Sequence, residues 1–92
     1  MIKTFRHAGL QQFFETGSKA GIRPDHASRL KRLLGALDAA QSLEQLRLPG
    51  FDLHPLGGDL KGYWSIKVNA NWRLMFCFTE GDVELLDYLD YH

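Results

Sequence analysis

Five residues in this chain have the types that proton transfer and phosphate binding need: His54, Arg73, Asp90, Tyr91 and His92. An imidazole exchanges protons near neutral pH, so His54 and His92 are the candidates for moving a proton. A guanidinium meets two phosphate oxygens in a planar fork, so Arg73 is the candidate clamp. Asp90 has two open roles, orienting a histidine or acting as a base. Tyr91 also has two, stacking on a nucleobase or donating a hydrogen bond. Each residue has a plain structural reading as well. His54 precedes a proline in a loop, His92 stands last in the sequence where polar groups are normally solvated, and Arg73 has Asp87 as an ion-pair alternative. The chemical reading therefore depends on a fold that brings the five together. Residue types alone do not divide acid from base.

The stretch from Leu53 to His92 must do the gathering. Trp64, Ile66 and Val68 alternate with Ser65, Lys67 and Asn69, the pattern of a half-buried strand. After a short Asn69-Ala70-Asn71 turn, Trp72, Leu74, Phe76 and Phe78 alternate with Arg73, Met75 and Cys77. Glu80-Gly81-Asp82 is a second tight turn, and Val83 to Leu89 a third strand. Turns this short impose an antiparallel meander, because parallel pairing needs long crossovers. Trp64, Trp72, Phe76 and Phe78 then face a core, while Lys67 and Arg73 share the other face. Alternation carried to the end sets Tyr91 opposite Asp90 and His92, unless the strand end twists.

Helices precede these strands. Ile2 and Phe5 mark an opening strand or arm, and Leu10, Phe13 and Phe14 a short helix that Gly17 ends. From Asp25 to Ala40, Ala27, Leu30, Leu34 and Leu37 repeat on one helical face, with Arg29 and Arg32 on its flank or open side. Gly35 costs that helix roughly 1 kcal/mol against alanine. Ser42 followed by Gln45 is a capping-box pattern for one more short turn. His7 and His26 lack companions for chemistry and suit solvated or helix-end roles. Helices first and strands after predict an α+β domain spanning 1–92: N-terminal helices packed on one face of a mainly antiparallel twisted sheet, with the opposite face open.

The totals agree with one soluble domain: 92 residues, 45% hydrophobic and 24% charged. A single cysteine excludes an internal disulfide and a cysteine-based zinc site, and Cys77 suits a small packed side chain. No paired histidines or carboxylate cluster at ligand spacing point to a metal, and no glycine-rich phosphate loop points to a nucleotide cofactor. The chain lacks the roughly 20 consecutive apolar residues of a membrane helix, and no signal-like segment opens it, so a cytoplasmic location is expected. Net charge is zero, yet Lys3, Arg6, Lys19, Arg23, Arg29, Lys31 and Arg32 crowd the first third, and Glu80, Asp82, Glu84, Asp87 and Asp90 the end. A nucleic-acid partner is compatible with that local field, whereas a long continuous grip on a phosphate backbone is not.

The ordered run LHPLxGxxxGYWSIxVxxNWRxxFxF, closed by DYxDYH and opened by MIKxFxHxGLxxxFExG, resembles the HigB group of bacterial toxins within the RelE/ParE superfamily. The resemblance covers nearly the whole chain. It implies a RelE/ParE-like microbial ribonuclease fold and a ribosome-dependent endoribonuclease that cuts mRNA in the ribosomal A site. It also implies a HigA-type helix-turn-helix antitoxin, which carries the complex to operator DNA. Carried over by position, the family's active-site residues fall on His54, Asp90, Tyr91 and His92, and its basic strand position on Arg73. Lys61, Lys67, Arg29 and Arg32 are then the candidates for contact with substrate or ribosomal RNA. The sequence departs from the family at one place: HPLKG is common there, and here Gly57 removes the cation beside His54. Lys61, four residues on, is a candidate replacement. Two other classes remain open, a ParE-like poison of DNA gyrase that needs no histidine pair, and a weakened toxin that binds and regulates without cutting.

Overall fold

The computed structural model describes residues 1–90. Helix α1 (Ala8–Thr16) starts at His7, whose Nδ1 accepts the Leu10 N–H at 3.0 Å, and ends at Gly17 with φ 81°. Both ends follow ordinary capping chemistry, an acceptor at the start and a left-handed residue at the stop. Helix α2 (Ala27–Ala39) follows a 3₁₀ turn at Pro24–His26 and buries Ala27, Leu30, Leu33, Leu34 and Leu37. That is the expected apolar stripe. His26 ends the turn as a helix-end residue, but it is buried and not solvated.

Helix α1 meets the turn that leads to α2 through a backbone contact that permits no side chain. A Cβ on Gly9 would lie 2.4 Å from the Gly21 carbonyl oxygen, and one on Gly21 would lie 2.5 Å from the Gly9 Cα. The capping box expected at Ser42 does not form. Ser42 makes no side-chain cap, and Gln45 Oε1 instead accepts the Gln41 N–H at 2.8 Å. Leu43–Leu46 is a short 3₁₀ turn, not the α-helical turn in which a capping box closes, so the glutamine satisfies an earlier N–H.

The sheet runs β1 (His54–Pro55), β2 (Tyr63–Asn69), β3 (Trp72–Thr79) and β4 (Asp82–Asp90), in that spatial order and antiparallel throughout. The opening arm adds parallel bridges from Ile2 to Val83 and from Phe5 to Leu86, and the Ile2 N–H also reaches Asp38 Oδ1 on α2 at 2.9 Å. Phe76, Ile66, Leu74, Leu86 and Val83 are fully buried against Leu10, Leu30, Leu33 and Leu37, with Trp64, Trp72 and Phe78 packed at the margin. The layer is α+β, with the helices on one face of the sheet. Among the described residues no helix is long and apolar enough to cross a membrane.

One irregularity shapes the end of the sheet. Cys77 pairs with Glu84 but Met75 pairs with Asp87, so β4 holds one residue more than β3 over this span. Leu85 takes the extra place at φ 54° and is 40% exposed. This β-bulge lets Val83, Leu86 and Tyr88 all face the core although simple alternation would not.

Candidate active site

Strand register decides what shares the open face. Pairing aligns His54, Ser65, Met75 and Asp87 in one row, and Lys67, Arg73 and Leu89 in the neighbouring row. Lys67 and Arg73 therefore lie side by side on one face, as alternation requires. Between the rows is a hollow of about 230 Å³. Asp52, His54, Pro55 and Leu56 wall one side, Arg73 and Leu89 the other, and the nearly buried Ser65 and Met75 line it between.

His54 arrives on the shortest strand of the sheet, and its ring is oriented from behind. Nδ1 lies 3.0 Å from the Asp52 carbonyl oxygen and 3.4 Å from Asp52 Oδ1. Both partners accept, so Nδ1 carries the hydrogen and donates, and Nε2 is left for exchange with a ligand. Asp52 stands at φ 53°, which folds its own carbonyl back toward the ring two residues on. This exposed contact orients the ring more than it stabilises the fold. Residue-type arguments from sequence passed over Asp52; an acid two residues before the histidine was the available signal.

Arg73 is half-buried on β3, and its Nη1 donates to the carbonyls of Ala70 at 2.9 Å and Trp72 at 3.3 Å. These bonds hold the Nη1 end of the guanidinium against the β2–β3 turn. The ion-pair alternative fails among the described residues: Asp87 Oδ1 accepts the Tyr88 N–H at 2.9 Å, and no Arg73–Asp87 pair is present. Lys67 borders a second, adjoining hollow together with Arg29 and Asp52.

The other sequence candidates sit apart from this centre. Arg29 donates to the carbonyls of Gly50, Lys67 and Val68 and lies over the Phe51 ring at 5.8 Å, so it ties α2 to the loop before His54. Burial first, and then the charge of Arg32, lower its pKa from the usual value. Arg32 is exposed on α2, and Lys61 is exposed after the Gly58–Leu60 turn; neither lines the His54 hollow. Gly57 is extended at φ −118°, and a Cβ there would meet nothing within 4 Å. Asp90 is opposite Trp72 in register, in the core-side phase of β4 and exposed at its end. Tyr91 and His92 lie outside the described residues. Among those described, no group of three His, Cys, Asp or Glu side chains is arranged to hold a metal. A larger groove of about 580 Å³ runs between α1 and α2, on the opposite side of the sheet from His54.

Comparison with known proteins places the chain as a whole. The profile of RelE-like toxins of the type II toxin–antitoxin system HigB matches residues 3–92. The chain is similar to the Endoribonuclease HigB of Proteus vulgaris, with 46% identity over 92 residues covering all of both proteins. It is also similar to the Toxin HigB-1 of Vibrio cholerae, with 40% identity over 94 residues, covering 100% of this chain and 98% of that one. In fold it is similar to a chain of the YoeB–YefM complex from Staphylococcus aureus, with TM-score 0.64, 18% identity, and 100% and 95% of the two chains covered. YafQ from E. coli is similar at TM-score 0.59 and 18% identity, with 96% and 89% covered. At such identities the two structures speak for the fold alone.

Proposed function

This chain belongs to the HigB family of RelE-like toxins of type II toxin–antitoxin systems, and from that premise we propose that it cuts mRNA in the ribosomal A site as a metal-independent endoribonuclease. The name of the Proteus vulgaris relative supports a ribonuclease. One observation of this chain carries the reading furthest: His54 and Arg73, 19 residues apart in sequence, converge on one hollow of the sheet's open face. A proton-transfer group and a phosphate clamp at one hollow are what the reaction needs.

The proposed reaction uses the RNA's own nucleophile. The 2′-oxygen forms a bond to the neighbouring phosphorus, and the bond from phosphorus to the next nucleotide's 5′-oxygen breaks. The 2′-hydroxyl proton goes to a base and the leaving oxygen receives one from an acid, which gives a 2′,3′-cyclic phosphate and a 5′-hydroxyl end. His54, with Nδ1 fixed by Asp52, serves one of these transfers through Nε2. Arg73 binds the phosphate and gains strength as charge builds on its oxygens. By the family resemblance Asp90, Tyr91 and His92 complete the set, with His92 as the second proton-transfer group; Asp90, in the core-side phase of β4, acts from the strand end and not from the wall of the hollow. Lys67, adjacent to Arg73, steers the RNA backbone, and Lys61, Arg29 and Arg32 widen the basic approach. The ribosome holds the codon in line, and a HigA-type antitoxin silences the toxin and takes it to operator DNA.

The test is to map mRNA 5′ ends in an active translation reaction. Wild type is expected to cut at A-site codons only when ribosomes are present. Arg73→Ala and His92→Gln are expected to lower the rate by roughly 10²–10³-fold, the scale of a lost transition-state partner. Intact mRNA with arrested growth would instead support gyrase poisoning. Intact mRNA with normal growth would support the weakened, regulatory toxin, a reading that the absent cation at Gly57 favours.

A further inference from the structure

Two buried polar side chains lie outside the hollow and have no part in the proposed chemistry. His26 is 2% exposed and Tyr88 is 4% exposed, and the imidazole Nδ1 is 2.7 Å from the phenol oxygen across 62 residues of sequence. Burial pushes the Tyr88 pKa up, opposed in smaller measure by a backbone hydrogen bond and the charge of Arg23. The phenol therefore keeps its proton and donates to the imidazole when that ring is neutral. Three rings pack around it, with centroid distances of 4.7 Å for Trp72, 5.3 Å for His7 and 6.0 Å for His26. The start of β3, the cap of α1 and the approach to α2 thus all grip one residue of β4.

That residue stands where register is least protected. The Leu85 bulge lies three residues before Tyr88, and Asp90 follows two residues after it. A bulge adds a residue to one strand, so the pairing beyond it is not dictated by the pairing before it. A one-residue slip there would turn every following side chain to the other face. Apolar packing alone tolerates such slips better than a buried hydrogen bond does, because a slip leaves both polar groups unsatisfied in the interior. We propose that the His26–Tyr88 pair pins the register of β4 beyond the bulge and so holds the next residue, Leu89, beside Arg73 in the wall of the His54 hollow where cleavage would occur. The catalytic half of this proposal rests on the nuclease reading; the register half does not.

The experiment compares wild type, Tyr88→Phe, and Tyr88→Phe combined with His26→Leu, in the full chain. Tyr88→Phe keeps the ring and removes only the hydroxyl. Amide hydrogen exchange at Leu89 and Asp90 is expected to speed up about tenfold, near the upper worth of a buried hydrogen bond, while Leu74 and Phe76 are unchanged. Single-turnover cleavage on programmed ribosomes is expected to fall by about the same factor at saturation, with the half-saturating ribosome concentration unchanged. The double variant is expected to be little worse than the single one, because both changes break one contact. Unchanged exchange at the end of β4 overturns the pin, whatever the cleavage rate does. Faster exchange with a wild-type cleavage rate overturns the link to catalysis. Faster exchange in a protein whose wild type cuts no mRNA upholds the pin and removes the nuclease reading instead.

Discussion

At the scale of single residues, the candidate site is defined by what holds each group and by what stands beside it. His54 was visible as a chemical group, but its preferred nitrogen was not, because that depends on the fold of Asp52 at positive φ. Arg73 was visible as an outward-facing residue, and the turn carbonyls that brace it follow from its place beside the Asn69-Ala70-Asn71 turn. Gly57 is neither strained nor crowded, so nothing in the local backbone demands glycine there. Gly57→Lys is therefore expected to leave thermal stability unchanged and to raise A-site cleavage roughly threefold to tenfold. An exposed, flexible cation contributes less than a pre-organised donor. Cleavage rates of the two proteins on the same programmed ribosomes check this. Tyr88 gives a pH prediction with a definite sign. Its folded pKa is raised above the usual 10.0, so the folded state keeps a proton that the unfolded state loses. Stability is then intact below about pH 10 and declines as pH rises through the folded value. Denaturant unfolding of wild type and Tyr88→Phe between pH 8 and pH 11 (about the range in which phenols titrate) is expected to show the steeper alkaline loss in wild type.

At the scale of elements, periodicity disclosed most of what matters and failed where segments distant in sequence meet. The three long strands, their antiparallel order and the shared face of Lys67 and Arg73 all follow from a period of two and short turns. The helix stripe through Leu30, Leu34 and Leu37 is equally plain. The Leu85 bulge was hidden because Leu85 and Leu86 are chemically identical, and only packing decides which one is buried. Likewise, no local pattern announces a hydrogen bond between His26 and Tyr88. Ser42 and Gln45 show the opposite error, a local motif that the short 3₁₀ turn overrides. Glycines divide in the same way. Gly9→Ala places a Cβ 2.4 Å from backbone, so it is expected to cost about 1–3 kcal/mol of stability. Gly35→Ala meets nothing within 4 Å and is expected to gain up to about 1 kcal/mol from helix propensity. Thermal unfolding of the two variants should move the midpoint in opposite directions; a shared direction would contradict the packing described for α1.

At the scale of the whole molecule, the sheet keeps two businesses on two faces: helices and core on one side, the His54–Arg73 hollow on the other. Zero net charge fits the proposed reaction, in which the ribosome positions the substrate and the toxin needs a small local field and no long cationic track. The family was legible because its motif words run in order along nearly the whole chain, and the fold followed from that as much as from periodicity. The reaction was not legible from shape, because solved structures at 18% identity share the architecture without fixing the chemistry. The most direct test of the central claim is cleavage of an mRNA carrying a single 2′-deoxynucleotide at the A-site position where the wild-type protein cuts. If the RNA's own 2′-oxygen is the nucleophile, that message stays intact on programmed ribosomes, while the all-ribose message yields a 2′,3′-cyclic phosphate and a 5′-hydroxyl end. Cutting of the deoxy-substituted message at the same bond and a similar rate would contradict the account, because the nucleophile would then have to come from elsewhere.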